Sequence, residues 1–452
     1  MKVSIKIETE FGWGERRSHV IGCVDRNSID VSEDRLGLSL SEGKAILREI
    51  QRAMLQDQVE EISEISRVCR SCGDYLAIHD HRRRRIDTLF GKVTVEAPRI
   101  RVFRCRYIHL PRFKAAISPL TRLLKDNATP ELRRLQAELG ARHSFREAAR
   151  LLNSLTSCAE QNHMTIRNRL TDVAAVLESD RNQSCVDTTE QSNPPELTVF
   201  LDSAYVRSRP EYQRRNFEVI VGCIESKSGK KRRFGVSQAA DYRPRDCLRT
   251  SLKAAGWREG TSVTVLSDGD AALPRLIKDA TGADVCHILD WWHISARIRH
   301  VEVTFQTLLS QLDSSEIDRI EQLVSGLRWR IWHGQKDRVL DALKILFDYA
   351  VGVRAATFGG THEAALTAAS RTLDLRTYLE HNPKAVVNYD QRRRSGGAVS
   401  TSRAEGLVNE IANARMGKRQ RMRWSPSGAH RVATVRAAVL DGRLSNGHIR
   451  AA

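Results

Sequence analysis

Three acids in this chain stand in contexts that ordinary surface roles explain poorly. Asp202 follows Val199, Phe200 and Leu201 in the apolar run TVFLDSAYV, and Asp268 follows Val263, Thr264, Val265, Leu266 and Ser267 in a second strand-like run. A carboxylate inside a Val/Phe/Leu strand is costly unless it is paired. The ends of buried strands are also the usual functional edge of an α/β sheet. The third acid, Glu405, lies in SRAEGLVNEIANARM, where helical spacing gives it one face with Val408, Asn409 and Ala412, while Glu410 projects elsewhere and is read as solvated. Single carboxylates converging from distant points of a rigid fold suit phosphodiester chemistry. They can hold two divalent ions about 3.5–4 Å apart, which stabilise both the attacking and the leaving oxygen. Mg²⁺ keeps several of its waters, so few protein ligands suffice. Blander roles compete: Asp268 stands in SDGD, where Asp and Gly are common turn formers. Asp270 is a competitor for its place, although it suits the cap of the following helix better.

A second group of residues could hold a metal or a polyanion. Cys69 and Cys72 are three apart, so that two thiolates could share one zinc; a Cys-Gly turn without metal is the alternative. His79 and His81 follow closely, inside HDHRRRR, where Arg82, Arg83, Arg84 and Arg85 form a cationic run. Such a run is either a solvated face or a phosphate contact. SFREAARLLNSLT opens with Ser144 and Glu147 at capping-box spacing and carries Ala148, Leu151 and Leu152 on one face. HMTIRNRLTDVAAVLE turns Ile166, Leu170 and Val173 inward and leaves Arg167, Asn168 and Arg169 available. Two such helices are either plain packing or a helix-turn-helix whose second helix enters the major groove. The basic stretch GKRQRMRW, with Lys418, Arg419 and Arg421, lies one helix beyond Glu405; its cations could track a phosphate strand, and Trp424 is read as packed.

The elements that must position these residues fall into two halves. Residues 1–60 read as a strand and then a helix near 41–58, whose apolar positions Ala45, Ile46, Ile50, Ala53 and Met54 have helical spacing. Residues 61–125 form a short Cys/His/Arg module with an alternating strand, and 126–180 read as helices. The polar stretch 181–196, with Pro194-Pro195, reads as a linker. After it the order is strand, strand, strand, helix, strand, helix, strand, which fits a mixed sheet flanked by helices. Residues 296–385 are helical throughout, and the Gly/Ser-rich QRRRSGGAVSTS leads into the helix of Glu405.

Bulk properties limit the partners. The chain has 452 residues, too many for one ordinary domain, and 41% are hydrophobic, enough for real cores. Its net charge of +18 calls for a polyanion. DNA, RNA or a membrane surface would all qualify; no apolar run reaches the length of a spanning helix, and the first residues alternate like a strand with no signal-peptide core, so a cytoplasmic protein is expected and the membrane surface is the weaker reading. Nine scattered cysteines agree with a reducing compartment.

Several of these stretches together resemble bacterial insertion-sequence DDE transposases of the ISKra family, related to the Mutator-like group. They are CRSCG with HDHRRRRIDTLFGKVTVEAPR, then FLDSAYV, LSDGD, DWWHI and AEGLVNEIANARMGKRQRMRWSPSGAHRVATVRAAVLDG, running from about Cys69 to Gly442. The resemblance implies a multidomain α/β protein. Its RNase H-like core would span 197–300, a helical insertion 301–390, and the completion of the core with a basic tail 391–452. A zinc-ribbon-like module and a helix-turn-helix-like module would precede them. It implies Asp202, Asp268 and Glu405 as the catalytic acids holding Mg²⁺ or Mn²⁺; 66 residues separate the first two and 137 the last two. Asp290 and His293 of DWWHI resemble the Asp-x-x-His signature that supports such a site. The family supplies a further Cys pair to a structural zinc. Here Cys105 is followed by Arg106 and Tyr107, so His109 would have to complete the set. The implied partners are DNA, as terminal inverted repeats and target, and further copies of the chain in a synaptic complex. A nuclease that does not join ends, or a non-catalytic DNA-binding descendant, are the alternatives.

Overall fold

The computed structural model describes residues 1–26, 36–69, 72–101, 116–124, 126–183, 196–238, 243–313 and 315–444. The protein is mixed α/β and divides into two units, Met1–Val173 and Ala174–Arg443.

In the first unit a hairpin of β1 (Lys2–Glu10) and β2 (Arg16–Asp25) precedes the long helix α1 (Leu40–Ser66). That helix outruns its expected span of 41–58 at both ends. At its start Ser39 and Glu42 form a complete capping box, with the Ser39 hydroxyl accepting from the Glu42 N–H at 3.3 Å and the Glu42 carboxylate from the Ser39 N–H at 2.9 Å. Buried Asp57 on α1 ties down the hairpin, accepting from Thr9 Oγ1 at 2.7 Å and lying 2.8 Å from His19 Nε2. The strands β3 (Ile78–Thr88), β4 (Gly91–Arg101) and β5 (Ala116–Ile117) form an antiparallel sheet. Ile86, Val93 and Val95 bury its inner face with Val59 of α1 and Leu120 of α2 (Pro119–Leu123). Three helices follow, α3 (Pro130–Arg142), α4 (Phe145–Leu155) and α5 (His163–Gln183), with Ala148, Leu152 and Ile166 at their shared core. The proposed linker overlaps the end of α5, and its residues 184–195 lie outside the described residues.

The second unit is built on five strands: β6 (Glu196–Arg207), β7 (Asn216–Ser226), β8 (Lys231–Val236), β9 (Ser262–Ser267) and β10 (Cys286–Leu289). Their spatial order is β10-β9-β6-β7-β8, with β6, β7 and β8 antiparallel and β6, β9 and β10 parallel. The helices α6 (Pro244–Ala254) and α7 (Ala272–Thr281) cover one face, where Leu248, Leu252, Leu273 and Ile277 meet Leu197, Val199 and Leu201. The opposite face takes α13 (Ser402–Leu407) and α15 (Pro426–Leu440). Gly235 of β8 admits α15 closely, since a Cβ there would stand 2.8 Å from the Ala433 methyl.

Between β10 and α13 the chain is helical: α8 (Trp291–Leu309), α9 (Ile317–Trp332), α10 (Lys336–Ala356), α11 (Gly359–His381) and α12 (Tyr389–Arg394). This segment returns to the sheet. Tyr389 Oη donates to the Leu289 carbonyl at 3.0 Å, and the Leu289 N–H donates to the Ala385 carbonyl at 2.9 Å. After α13 the helix widens into a π stretch (Val408–Asn413) before α14 (Ala414–Met416). The widening shifts the helical phase, so Asn409 is exposed while Val408 and Ala412 are buried, and the single face expected for all of them with Glu405 is broken. Among the described residues no helix is long and apolar enough to cross a membrane.

Candidate active site

Strand register brings the first acids together. Phe200 pairs with Leu266 between parallel neighbours β6 and β9, so the next side chains on that face, Asp202 and Asp268, stand level where β9 ends. The same register links β9 to β10 through Ser267 and Leu289, which sets Asp290 level with Asp268. Three aspartates thus stand level across three adjacent parallel strands, Asp268 and Asp290 just past the ends of β9 and β10 and Asp202 inside β6, which runs on to Arg207.

Their environments differ. Asp202 is partly buried, and its carboxyl is raised above the ordinary aspartate value. Burial is the main cause, and the charges of Asp268 and Glu405 add to it, while the Ser203 N–H hydrogen bond at 2.7 Å and His293 oppose it. Asp268 follows β9 in a turn. Its Oδ1 accepts the Asp270 N–H at 3.2 Å, and its backbone carbonyl accepts Tyr378 Oη of α11 at 2.7 Å. Asp270 turns away to accept the Ala272 N–H at 2.9 Å at the start of α7, from one residue before Ala271, which holds the N-cap position expected for Asp270. Gly269 between them has φ +95°, and a Cβ there would meet the Tyr378 ring at 2.7 Å.

Asp290 is fully buried and caps α8. Oδ1 accepts the N–H groups of Trp292 at 2.9 Å and Thr401 at 3.1 Å, and Oδ2 accepts the Thr401 hydroxyl at 2.6 Å. These bonds fasten the segment before α13 against β10 and so deliver Glu405 to the sheet edge. His293, one turn into α8, sets Nε2 3.8 Å from Asp290 Oδ2 and 3.7 Å from Glu405 Oε1. Asp290, His293 and Glu405 can bring one ligand atom each within 4.8 Å of one another. Because the Asp290 oxygens already accept three protein hydrogen bonds, its part is to position. Among the described residues the group whose ligand atoms converge is Asp290, His293 and Glu405, and Asp202 and Asp268 stand outside it. A cation held by Glu405 would relieve part of the like-charge repulsion that raises Asp202.

No family model matches the chain, and no curated protein matches it.

Sequence reasoning missed Thr401 and Tyr378. Thr401 sits in a Gly/Ser-rich connection with no period, and Tyr378 lies in the last turn of α11, 110 residues from the carbonyl it holds. A buried aspartate that caps a helix demands further donors, and that was the one signal for a partner such as Thr401.

The cationic residues divide. Arg82, Arg83 and Arg85 are exposed on β3, and their ion pairs are long, 3.9 Å from Arg82 to Asp80 and 3.7 Å from Arg83 to Glu96. Arg84 is committed within the first unit: it donates to the Leu124 carbonyl, to Thr121 Oγ1 at 3.2 Å and to the Asp126 carbonyl at 3.3 Å. On α5, Arg167 and Asn168 are exposed, whereas Arg169 is paired with Asp126, one contact being 3.1 Å. Arg419 and Arg421 are exposed beyond the π stretch, Arg421 with φ 48°; the Lys418 side chain lies outside the described residues. Trp424 is buried, with the Arg415 guanidinium 4.8 Å from its ring. Cys69 and Cys72 lie in the turn between α1 and β3, and Cys72 Sγ lies 3.2 Å from Asp74 Oδ2. Cys105 and His109 lie outside the described residues, and among the described residues no third ligand joins the cysteine pair.

Proposed function

We propose that this chain is a DDE transposase whose second unit is an RNase H-like catalytic core and whose first unit holds DNA. One observation carries the reading. Asp202 and Asp268 stand level on adjacent parallel strands, and Glu405 comes from a helix 137 residues further on to lie 3.7 Å from His293, one turn beyond β10. The fold supports it. An RNase H-like core is an antiparallel three-stranded meander extended by two parallel strands, the order found in β8-β7-β6-β9-β10. A helical insertion precedes the third acid, as the resemblance implies.

The reaction has two phosphoryl transfers. In the first, a water oxygen bonds to phosphorus and the bond to a 3′ oxygen breaks, leaving a 3′ hydroxyl on the element. In the second, that hydroxyl oxygen bonds to a target phosphorus and the target's 3′ oxygen leaves. Bound Mg²⁺ or Mn²⁺ supplies Lewis-acid stabilisation of attacking and leaving oxygens. Asp202, Asp268 and Glu405 are the residues that would hold it. Asp290 and Thr401 fix the approach of α13, and His293 faces Glu405 and orients it. No side chain attacks phosphorus, so no covalent protein–DNA intermediate forms.

The exposed Arg82, Arg83, Arg85, Arg167 and Asn168 supply the DNA contacts of the first unit, and a structural Zn²⁺ on Cys69 and Cys72 would brace it. Synapsis of two element ends requires at least two copies. The test is incubation of the protein with its own element ends, a target plasmid and Mg²⁺. Cleavage followed by joining is expected. Cleavage without joining identifies a nuclease, and binding without either identifies a non-catalytic protein.

A further inference from the structure

The second unit holds a groove of about 830 Å³ lined by β6 and by the π stretch that follows the helix of Glu405. One wall is β6 just beyond Asp202, at Ser203 and Tyr205; the other is the π stretch one turn beyond Glu405, at Asn409 and Asn413. Arg419 and Gln420 close the end. Ser203, which lines the groove, directly follows Asp202 and donates its N–H to the Asp202 carboxylate.

The lining is chemically specific. Asn413 Nδ2 donates to Asn409 Oδ1 at 3.0 Å, which fixes both amides and leaves a carbonyl on Asn413 and an amino group on Asn409 to face a ligand. An amide acceptor beside an amide donor is the complement of a nucleobase edge. Tyr205 is 65% exposed at the rim, so its ring is open to a ligand. Every base has a π face that can stack on such a ring. Arg419 adds a cation at the far end for a phosphate. The scaffold is rigid where it must be. Gly417 donates its N–H to the Asn413 carbonyl at 2.9 Å, and a Cβ on Gly417 would lie 2.5 Å from that oxygen, so this glycine lets the chain close tightly under the groove. A π stretch is itself a departure from regular helix that recurs at functional sites.

We infer that this groove is a base-reading subsite for the nucleotide next to the phosphate that the acid cluster attacks, with Asn409 and Asn413 reading the base edge, Tyr205 stacking on its face and Arg419 holding the next phosphate. This rests on the proposed function, and it adds that the catalytic unit itself selects the terminal nucleotide. Asn409 sits about one helical turn beyond Glu405 and Asn413 about two, and Tyr205 stands three residues beyond Asp202. A strand whose phosphate lies at the acids has its neighbouring base at the groove. A double-stranded end would have to open there, because stacking on Tyr205 requires an unpaired base.

The test uses the full chain and a library of DNA duplexes with four randomised nucleotides at the 3′ end. Binding is selected in Ca²⁺ and cleavage or joining in Mg²⁺, and the survivors are sequenced. The wild type is expected to enrich one base at one position by about 10-fold, the scale of one good base-reading pair. The double variant Asn409→Ala, Asn413→Ala should flatten that position to below about 2-fold. In parallel, 2-aminopurine at the same position should be quenched by the wild type and by Tyr205→Phe but not by Tyr205→Ala, a readout independent of the double variant. A flat wild-type profile with cleavage intact overturns the subsite and leaves the transposase reading standing. Preference that survives in the double variant, or quenching that survives in Tyr205→Ala, also overturns the subsite. A base preference in binding without any cleavage or joining would overturn the transposase reading but keep the groove as a base reader. Failure to bind any member overturns both.

Discussion

Asp202 works against the stability of the chain that carries it. Its carboxyl is raised above the ordinary value by burial first and by Asp268 and Glu405 after it. The sign follows from linkage. A carboxyl with a raised folded-state pKa is harder to ionise in the folded protein than in the unfolded one, so its cost is fully present above the folded pKa. The cost fades as pH falls towards the unfolded value, where both states hold the proton. Asp202→Asn is therefore expected to raise the Tm of the metal-free protein at pH 7, by about 1–2 °C for a protein of this size. The gain should shrink to nothing near pH 4, while cleavage is lost at every pH. Thermal scans of both proteins from pH 4 to 8 test this, and a mutant equal to wild type at pH 7 would contradict it. Adding Mg²⁺ should raise the Tm of the wild type and leave that of Asp202→Asn nearly unchanged. Thr401 makes the opposite case, a residue that stabilises. Thr401→Val leaves a fully buried Asp290 oxygen without its 2.6 Å donor and should cost about 1–3 kcal/mol in denaturant unfolding. Thr401→Ser, which keeps the hydroxyl, should recover most of that and most of the cleavage rate.

At the scale of elements, the turn after β9 holds the second acid by a conformation that one residue type allows. Gly269 has φ +95°, and its missing Cβ leaves room for the Tyr378 ring, whose hydroxyl grips the Asp268 carbonyl. Gly269→Ala combines backbone strain with a 2.7 Å clash and should cost about 2 kcal/mol or more, displacing Asp268 and abolishing cleavage. Full activity in that variant would show that Asp268 is not held by this turn. Much of this architecture was legible in the sequence. The strands announced themselves as Val-, Ile- and Leu-rich runs between turn residues, and SDGD divided as read, with Asp270 engaged by α7 and Asp268 left at the strand end. What spacing alone left open was physical. The level placement of Asp202 and Asp268 depends on which strands are neighbours, a long-range choice that no local pattern encodes. The face of Glu405 was misjudged because a π stretch shifts the phase of an otherwise helical sequence. Tyr378 and Thr401 act across more than 100 residues, through bonds that leave no periodic trace. The arginine run misled differently. Four adjacent cations look equivalent in sequence, but strand alternation and the capture of Arg84 by three neighbouring acceptors give them separate jobs.

For the whole molecule, that separation makes the +18 charge testable. Charge alone predicts that every arginine of HDHRRRR contributes equally to DNA affinity. The structure predicts two classes. Arg82, Arg83 and Arg85 are exposed, and the long surface ion pairs of Arg82 and Arg83 contribute little to stability and leave their guanidinium groups open to phosphate. Arg84 and Arg169 are bound to neighbouring groups and support the fold. Binding of the full chain to DNA of arbitrary sequence, measured against salt with Asp268→Ala as background to prevent cleavage, gives a log–log slope of roughly −0.9 per phosphate neutralised. Replacing Arg82, Arg83 and Arg85 together by alanine should flatten that slope by about 2 to 3 and leave the Tm unchanged within a degree or two. Arg84→Ala and Arg169→Ala should do the reverse, lowering the Tm while the slope holds. Arg167→Ala or Asn168→Ala should leave both nearly unchanged for arbitrary DNA and erode only the preference for element ends, because residues that read bases add selectivity rather than general affinity. Equal slope changes from Arg83 and Arg84 would mean that the contacts of Arg84 open on DNA, and that the charge acts as an undivided patch.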